Sequence, residues 1–149
     1  MDNICHTLVG AALAEAGLRK KTALGSATLM IAANLPDVDV LAVPLGQSLG
    51  FRRGLTHGVP AQLILPFVLA GLILLWHRWR GRGPAPDPRW LVALSAIGIA
   101  THPFLDWMNT YGMRWLMPID ADWSYADALF IVDPWILIVL AAGVWRARR

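Results

Sequence analysis

Two apolar runs joined by a loop of arginine, glycine and proline constrain this chain more than any other feature. The first, Pro60 to Trp76, has Gln62 as its only clearly polar side chain; the second begins at Trp90, stays apolar to Ala100 and continues as a helix to about Tyr111. About 17 residues is the lower limit for crossing a bilayer, and one more turn at each end brings the first run into range. With His77 to Arg89 as a basic turn, residues 58 to 77 and 90 to 111 read as an antiparallel helical hairpin, with Pro66 a place for a kink. Across 149 residues, 56% hydrophobic content and a mean hydropathy of +0.50 are too apolar for an ordinary soluble domain. One membrane-embedded domain over residues 1–149 is expected.

The flanking segments are shorter. Residues 3 to 18 form an alanine-rich helix capped by Asp2 or Asn3, too short to cross a bilayer, ending at Arg19-Lys20-Lys21. Thr22 to Ala33 forms a second short helix, apolar nearly all round. It stops at Asn34-Leu35-Pro36-Asp37-Val38-Asp39, where Pro36 disfavours helix at Leu35. A partial helix and then a loop fill residues 40 to 51. After the hairpin, residues 112 to 127 are Trp-rich and acidic, as in an interfacial segment, and the last apolar run, Ala128 to Trp145, is broken only by Asp133-Pro134. The expected architecture is an all-α integral membrane bundle of about five helices: two short N-terminal helices, the hairpin and a C-terminal helix. No basic residue precedes the first apolar stretch, which therefore lacks the charged region of a secretory signal. The lone Cys5 excludes an internal disulfide and reads as a small buried apolar residue.

This topology gathers the chemistry. His102 and Asp106 stand four residues apart, on one helical face, where imidazole and carboxylate can converge on one cation. His57 lies at the same end of the hairpin. The first two helices turn at Arg19-Lys20-Lys21, so His6 and the Asp37/Asp39 loop also share an end. Aligning both hairpins by their basic turns brings His6, Asp37, Asp39, His57, His102 and Asp106 together. Ten of the thirteen basic residues lie in the turns and the C-terminal tail, and eight of the ten acids lie at the other end. The positive-inside rule then makes this a multi-pass protein with its basic end cytoplasmic and its polar cluster at the outer, periplasmic face. The net charge of +3 records that topology, and no nucleic-acid partner is expected.

Three histidines and three aspartates are the ligand types of a divalent ion, and six could serve two ions about 4 Å apart, the arrangement used in phosphoester cleavage. Of the carboxylates, Asp37 is favoured as a direct ligand, with Asp39 capping or supporting. Thr56 reads as the N-cap of the next helix, leaving His57 for the metal. Arg52 and Arg53 could bracket a phosphate or bind lipid headgroups. Asn109 and Tyr111 either end the helix or touch substrate, Asp133 is either a cap or a functional carboxylate, and His77 is an interfacial anchor.

The segments MDNICHTLVGAALAEAGL, NLPDVD, RRGLTHG, HPFLDWMNTYG and LFIVDPW, in this order, resemble the membrane-bound metal-dependent hydrolase family, from Met1 to about Trp135. That family has a LexA-regulated inner-membrane protein among its bacterial members and is related to the zinc-dependent phospholipase C and P1 nuclease group. The resemblance implies metal ligands at His6, Asp37, His57, His102 and Asp106, with a lesser claim for Asp39. The expected function is therefore that of an inner-membrane hydrolase holding one or two divalent ions, most simply Zn2+, that activate water against a phosphoester of a lipid or other amphiphile. Asp37 or Asp39 would orient the water or act as general base, and Arg53 would stabilise developing negative charge. The rival is a non-catalytic membrane protein, a scaffold or stress-response partner, in which a structural metal staples short helices. A cation-conducting subunit is disfavoured, because the polar groups gather at one end.

Overall fold

The computed structural model describes residues 1–45 and 53–149, and places five α-helices and two 3-10 segments there, with no β-strand among the described residues. Helix α1, Asn3–Glu15, starts where the Asp2 carboxylate accepts the N–H groups of Ile4 and Cys5 at 3.0 and 3.1 Å. It ends before the expected residue 18, because Gly17 takes a left-handed φ of 112° and Leu18–Lys21 continues as a 3-10 turn. Helix α2, Gly25–Ala32, begins later than Thr22, after Leu24 adopts a φ of 64°. A 3-10 segment, Leu35–Leu45, follows and carries Asp37 and Asp39. The expected partial helix over residues 40 to 51 falls partly on this segment; residues 46–52, Arg52 among them, lie outside the described residues.

Helices α3, Val59–Arg80, and α4, Pro88–Met108, form the expected hairpin. Gly81, with a φ of 61°, ends α3, and the Asp87 carboxylate caps α4. Helix α4 stops three residues before Tyr111, because Asn109 leaves the helical region and its side chain takes over the next amides. Helix α5, Pro134–Ala147, is capped by Asp133, which accepts from Trp135 and Ile136 at 3.0 and 3.2 Å. Of the two readings for Asp133, the cap is the one the structure displays.

Helix α4 is the hub, packed on α2 and α3, while α1 lies between α2 and α5. Its core joins Leu91, Leu94 and Ile99 to Leu29 and Ala32 of α2 and Leu69 of α3. Close approach depends on glycine. A Cβ at Gly98 would sit 2.6 Å from the Ala32 Cβ, and one at Gly10 would sit 2.7 Å from the Leu29 carbonyl oxygen. The basic turns meet as the topology requires: the Asp87 N–H donates to Thr22 Oγ1 at 2.7 Å, Lys21 lies over the Trp90 ring, and Arg148 reaches Glu15 at 3.0 Å.

The outside of α3 is apolar and open, with Leu63, Phe67, Leu75 and Trp79 all more than 60% exposed. With 22 residues α3 is roughly 33 Å long, matching the ~30 Å hydrocarbon thickness of a bilayer. Both α3 and α4 are long and apolar enough to cross a membrane, with mean hydropathies of 2.1 and 1.3 over their most apolar windows. Helix α5, with 14 residues, is shorter.

A leucine at position 98 must push α2 and α4 apart, whereas Gly71 on α3 has no atom within 4 Å of a built Cβ. Gly98→Leu is expected to destabilise the fold by about 1–3 kcal/mol and Gly71→Leu to be neutral or mildly stabilising. Thermal unfolding of both variants in detergent checks this; equal midpoints would contradict the packing.

Candidate metal centre

At the end away from the basic turns, four separate stretches bring ligand-type side chains to one buried point. Helix α1 supplies His6, the 3-10 segment Asp37 and Asp39, the turn before α3 His57, and α4 His102 and Asp106; all six are buried. The Nε2 atoms of His57 and His102 face each other at 3.1 Å. Asp37 Oδ1 lies 3.7 Å from both, and Asp106 Oδ2 lies 3.6 Å from both. The His6 ring stacks on His102 with centroids 3.8 Å apart, and its Nε2 is 3.4 Å from Asp106 Oδ1.

The other nitrogens fix the tautomers. His102 Nδ1–H donates to the Ala33 carbonyl at 2.7 Å, one of the orphan acceptors at the C-terminus of α2. His57 Nδ1 lies 3.1 Å from Thr56 Oγ1 and 3.6 Å from Asp39 Oδ2. A carboxylate beside Nδ1 places the proton there. With the proton at Nδ1, each ring presents an Nε2 lone pair to the other, a juxtaposition that repels without a cation between or beside them. Burial lowers the proton affinity of His6 and His57 below the ordinary histidine value, outweighing Asp106, so both favour the neutral, ligating form. Burial works to raise Asp37, but the neighbouring His102 and His57 imidazoles prevail, and its carboxyl is held below the ordinary value. Neither nitrogen of buried His6 has a hydrogen-bond partner, which fits a ring kept for a metal.

Donor atoms fall into two groups, each with all atoms within 4.8 Å of one another: His6, His102 and Asp106, and Asp37, His57 and His102. His102 belongs to both. These buried groups could hold a metal ion.

A second layer braces them. Asp39 Oδ2 accepts from the Arg53 N–H at 2.8 Å and from Thr56 Oγ1 at 3.3 Å. Asp39 therefore stands behind His57, while Asp37 faces the open Nε2 side. Thr56 was expected to cap α3; that position is taken by Gly58, and the hydroxyl serves Asp39 and His57 instead. Arg53 is brought into the centre: Nε is 3.1 Å from Asp106 Oδ2, Nη1 donates to the Gly112 carbonyl and to Asn109 Oδ1, and the guanidinium covers the Tyr111 ring. Its left-handed φ of 54° costs roughly 1–2 kcal/mol, offset by the bond of its own N–H to Asp39. Asn109 is buried, its Oδ1 accepting from Tyr111 and Gly112 N–H at 2.8 and 3.1 Å and its amide reaching Asp106. The expected His77 anchor lies in the last turn of α3, far along that helix from the centre.

Several contacts had no signal in the sequence. The Met1 α-amino group lies against Asp106 Oδ1, Asn3 donates to Asp37 Oδ2 at 3.3 Å, and buried Arg114 donates its backbone N–H to the Arg53 carbonyl. Backbone partners such as Ala33 carry no residue-type signature.

Residues 1–149 match the YdjM inner membrane protein family. The chain belongs to that family. It is also similar to the uncharacterized protein YfhP of Bacillus subtilis (strain 168), 24% identical over 159 residues, covering 99% of this chain and 47% of that protein. The chain thus spans about half the length of the curated relative it matches. No solved structure matches it. The inner-membrane family and the two apolar helices support a membrane location.

Removing the Asn109 amide leaves the buried Gly112 N–H, the part-buried Tyr111 N–H and the Arg53 guanidinium each short of an acceptor. Asn109→Ala is expected to destabilise the protein by about 2–4 kcal/mol, whereas Asp133→Ala, which loses only a cap, should cost about 1 kcal/mol. Denaturation in detergent, followed by tryptophan fluorescence, orders the two; a milder loss for Asn109→Ala would contradict the bracing role.

Proposed function

We propose that this protein is a membrane-bound metal-dependent hydrolase acting on a phosphoester of a lipid or similar amphiphile. The observation that carries this reading is the pair of buried Nε2 atoms 3.1 Å apart, flanked by carboxylate oxygens of Asp37 and Asp106. Opposed lone pairs beside carboxylates are costly in an apolar bundle and become favourable when a cation joins them. His6, Asp37, His57, His102 and Asp106 would hold it, and zinc is the ion whose His and Asp preference matches best.

Bound there, zinc supplies Lewis acidity toward water and a phosphoryl oxygen. The chain's own groups do the rest. Asp37, which faces the open Nε2 side of His57 and lines the adjoining hollow, accepts the proton of the attacking water, and Asp39 holds the His57 ring in register behind it. Arg53 fixes Asp106 and contributes a positive charge toward the negative charge that develops on the phosphoryl group. The buried surroundings strengthen each of these interactions relative to water.

Metal analysis of detergent-purified protein should find one or two zinc ions per chain. Hydrolysis of fluorogenic phosphodiesters or phosphomonoesters that carry an acyl chain should be abolished by chelator and restored by zinc. His102→Ala and Asp106→Asn should each lose metal and lower hydrolysis by roughly 100-fold or more. Protein that retains no stoichiometric divalent ion, or that retains one and hydrolyses neither substrate class, would remove the reading.

A further inference from the structure

Three apolar hollows follow one another along the outside of α2 and α3 and share walls. The one beside the metal centre, about 620 Å³, has Asn3, Thr7, Asn34 and Asp37 on its polar wall and apolar residues between Met30 and Leu41 elsewhere. The next, about 370 Å³, is walled by Leu24, Ala27, Leu69 and Ile73 between the helices, and meets the first at Ile31. The last shares Leu72 and Trp76 with the second and ends at Trp79. Together they form one strip from the metal centre toward the basic end.

The strip changes polarity along its length. The amide, hydroxyl and carboxylate side chains lie at its upper end, where Asn34 donates to Thr7 at 2.9 Å and Asn3 donates to Asp37 at 3.3 Å. Below Ile31 every lining residue is apolar, and Leu72 and Trp76 are half-exposed on the open face of α3. From Ile31 to Leu24 the strip follows α2 for roughly 10 Å before continuing along α3, enough for a chain that crosses one leaflet, roughly 15 Å. A molecule with a hydrocarbon tail and an anionic head fits this gradient in one orientation, and it can enter sideways from the bilayer without passing through water.

We propose that the strip binds the hydrocarbon chain of the enzyme's substrate, a membrane lipid phosphoester, and delivers its phosphate to the Asp37 end beside the cation. This rests on the metal-dependent reading above and narrows it: the substrate is a lipid drawn from the surrounding membrane, and water-soluble phosphoesters are poor substitutes because they leave the strip empty.

The test uses the full chain in phosphatidylcholine nanodiscs with a trace of monoacylglycerol phosphate carrying a photoreactive diazirine at mid-chain. After irradiation, adducts mapped by mass spectrometry should concentrate on α2 and the Leu69–Trp76 stretch, about five-fold above those on the equally open face of α5. Ile31→Trp and Leu72→Trp, which fill the strip, should each lower strip labelling by about five-fold while leaving α5 labelling, bound metal and thermal midpoint as they were. Because Leu72 is half-exposed, that variant keeps the test decisive if Ile31→Trp fails to fold. Adducts spread evenly over α3 and α5, or equal strip labelling by a diazirine alcohol without the phosphate, would overturn the assignment. Even labelling by a protein that binds zinc and cleaves soluble phosphoesters would overturn the strip alone. Strip labelling by a protein that cleaves neither this phosphomonoester nor a lipid phosphodiester would leave the binding site standing and overturn the hydrolase.

Discussion

The arrangement of this protein depends on two imidazole rings, from segments 45 residues apart, whose Nε2 atoms are held 3.1 Å from each other inside an apolar bundle. Neither ring is placed by its own helix alone. His102 is turned by a carbonyl at the C-terminal end of α2, and His57 by a carboxylate from the following 3-10 segment. Both partners lie within seven residues of sequence, so the stretch from Ala33 to Asp39 sets the geometry of the whole centre. This explains why α1 and α2 are short. Their task is to bring His6, a free helix terminus and two aspartates against α4, for which about two to four turns are enough.

That packing requires small residues. Gly98 and Ala32 let α4 and α2 approach until the Ala33 carbonyl is within 2.7 Å of His102, and Gly10 does the same for α1 and α2. A wider spacing would leave His102 Nδ1 without an acceptor and release the ring to the other tautomer. In an apolar interior the cost of an unmade hydrogen bond is about 1–3 kcal/mol, so packing and ligand orientation stand or fall together.

Much of this was legible in the sequence, and for a definite reason. Hydrophobic runs bounded by basic turns determine which ends of the helices coincide, so the co-location of His6, Asp37, Asp39, His57, His102 and Asp106 followed from connectivity before any distance was known. The cap roles of Asp2 and Asp133 are local, and residue type leaves them among few choices, whereas the Asp87 cap of α4 was not read from its basic loop. The lengths of α1, α2 and α4 were overestimated because their ends are set by events that hydrophobicity does not report: left-handed backbone at Gly17 and Leu24, and the turn that the Asn109 side chain closes. Thr56 looked like a helix cap because threonine before a helix usually is one; here its hydroxyl had a buried carboxylate to serve. The bracing by Ala33 was invisible, since a main-chain carbonyl is common to every residue.

The division of labour between Asp37 and Asp39 follows from the form of the helix that carries them. A 3-10 helix turns about 120° per residue, so side chains two positions apart diverge by about 120°. On an α-helix they would diverge by about 160° and face nearly opposite sides. Pro36 cannot donate a backbone hydrogen bond, and the segment that contains it adopts the tighter winding. The result is that one segment reaches both sides of a single imidazole: Asp39 meets His57 at Nδ1 and Asp37 meets it at Nε2. One carboxylate thereby fixes the proton and orientation of the ring, and the other is left on the side where its lone pair points. A shift of the segment by one residue would move both carboxylates off the ring, so the NLPDVD spacing is a requirement of the centre as strict as the four-residue step between His102 and Asp106.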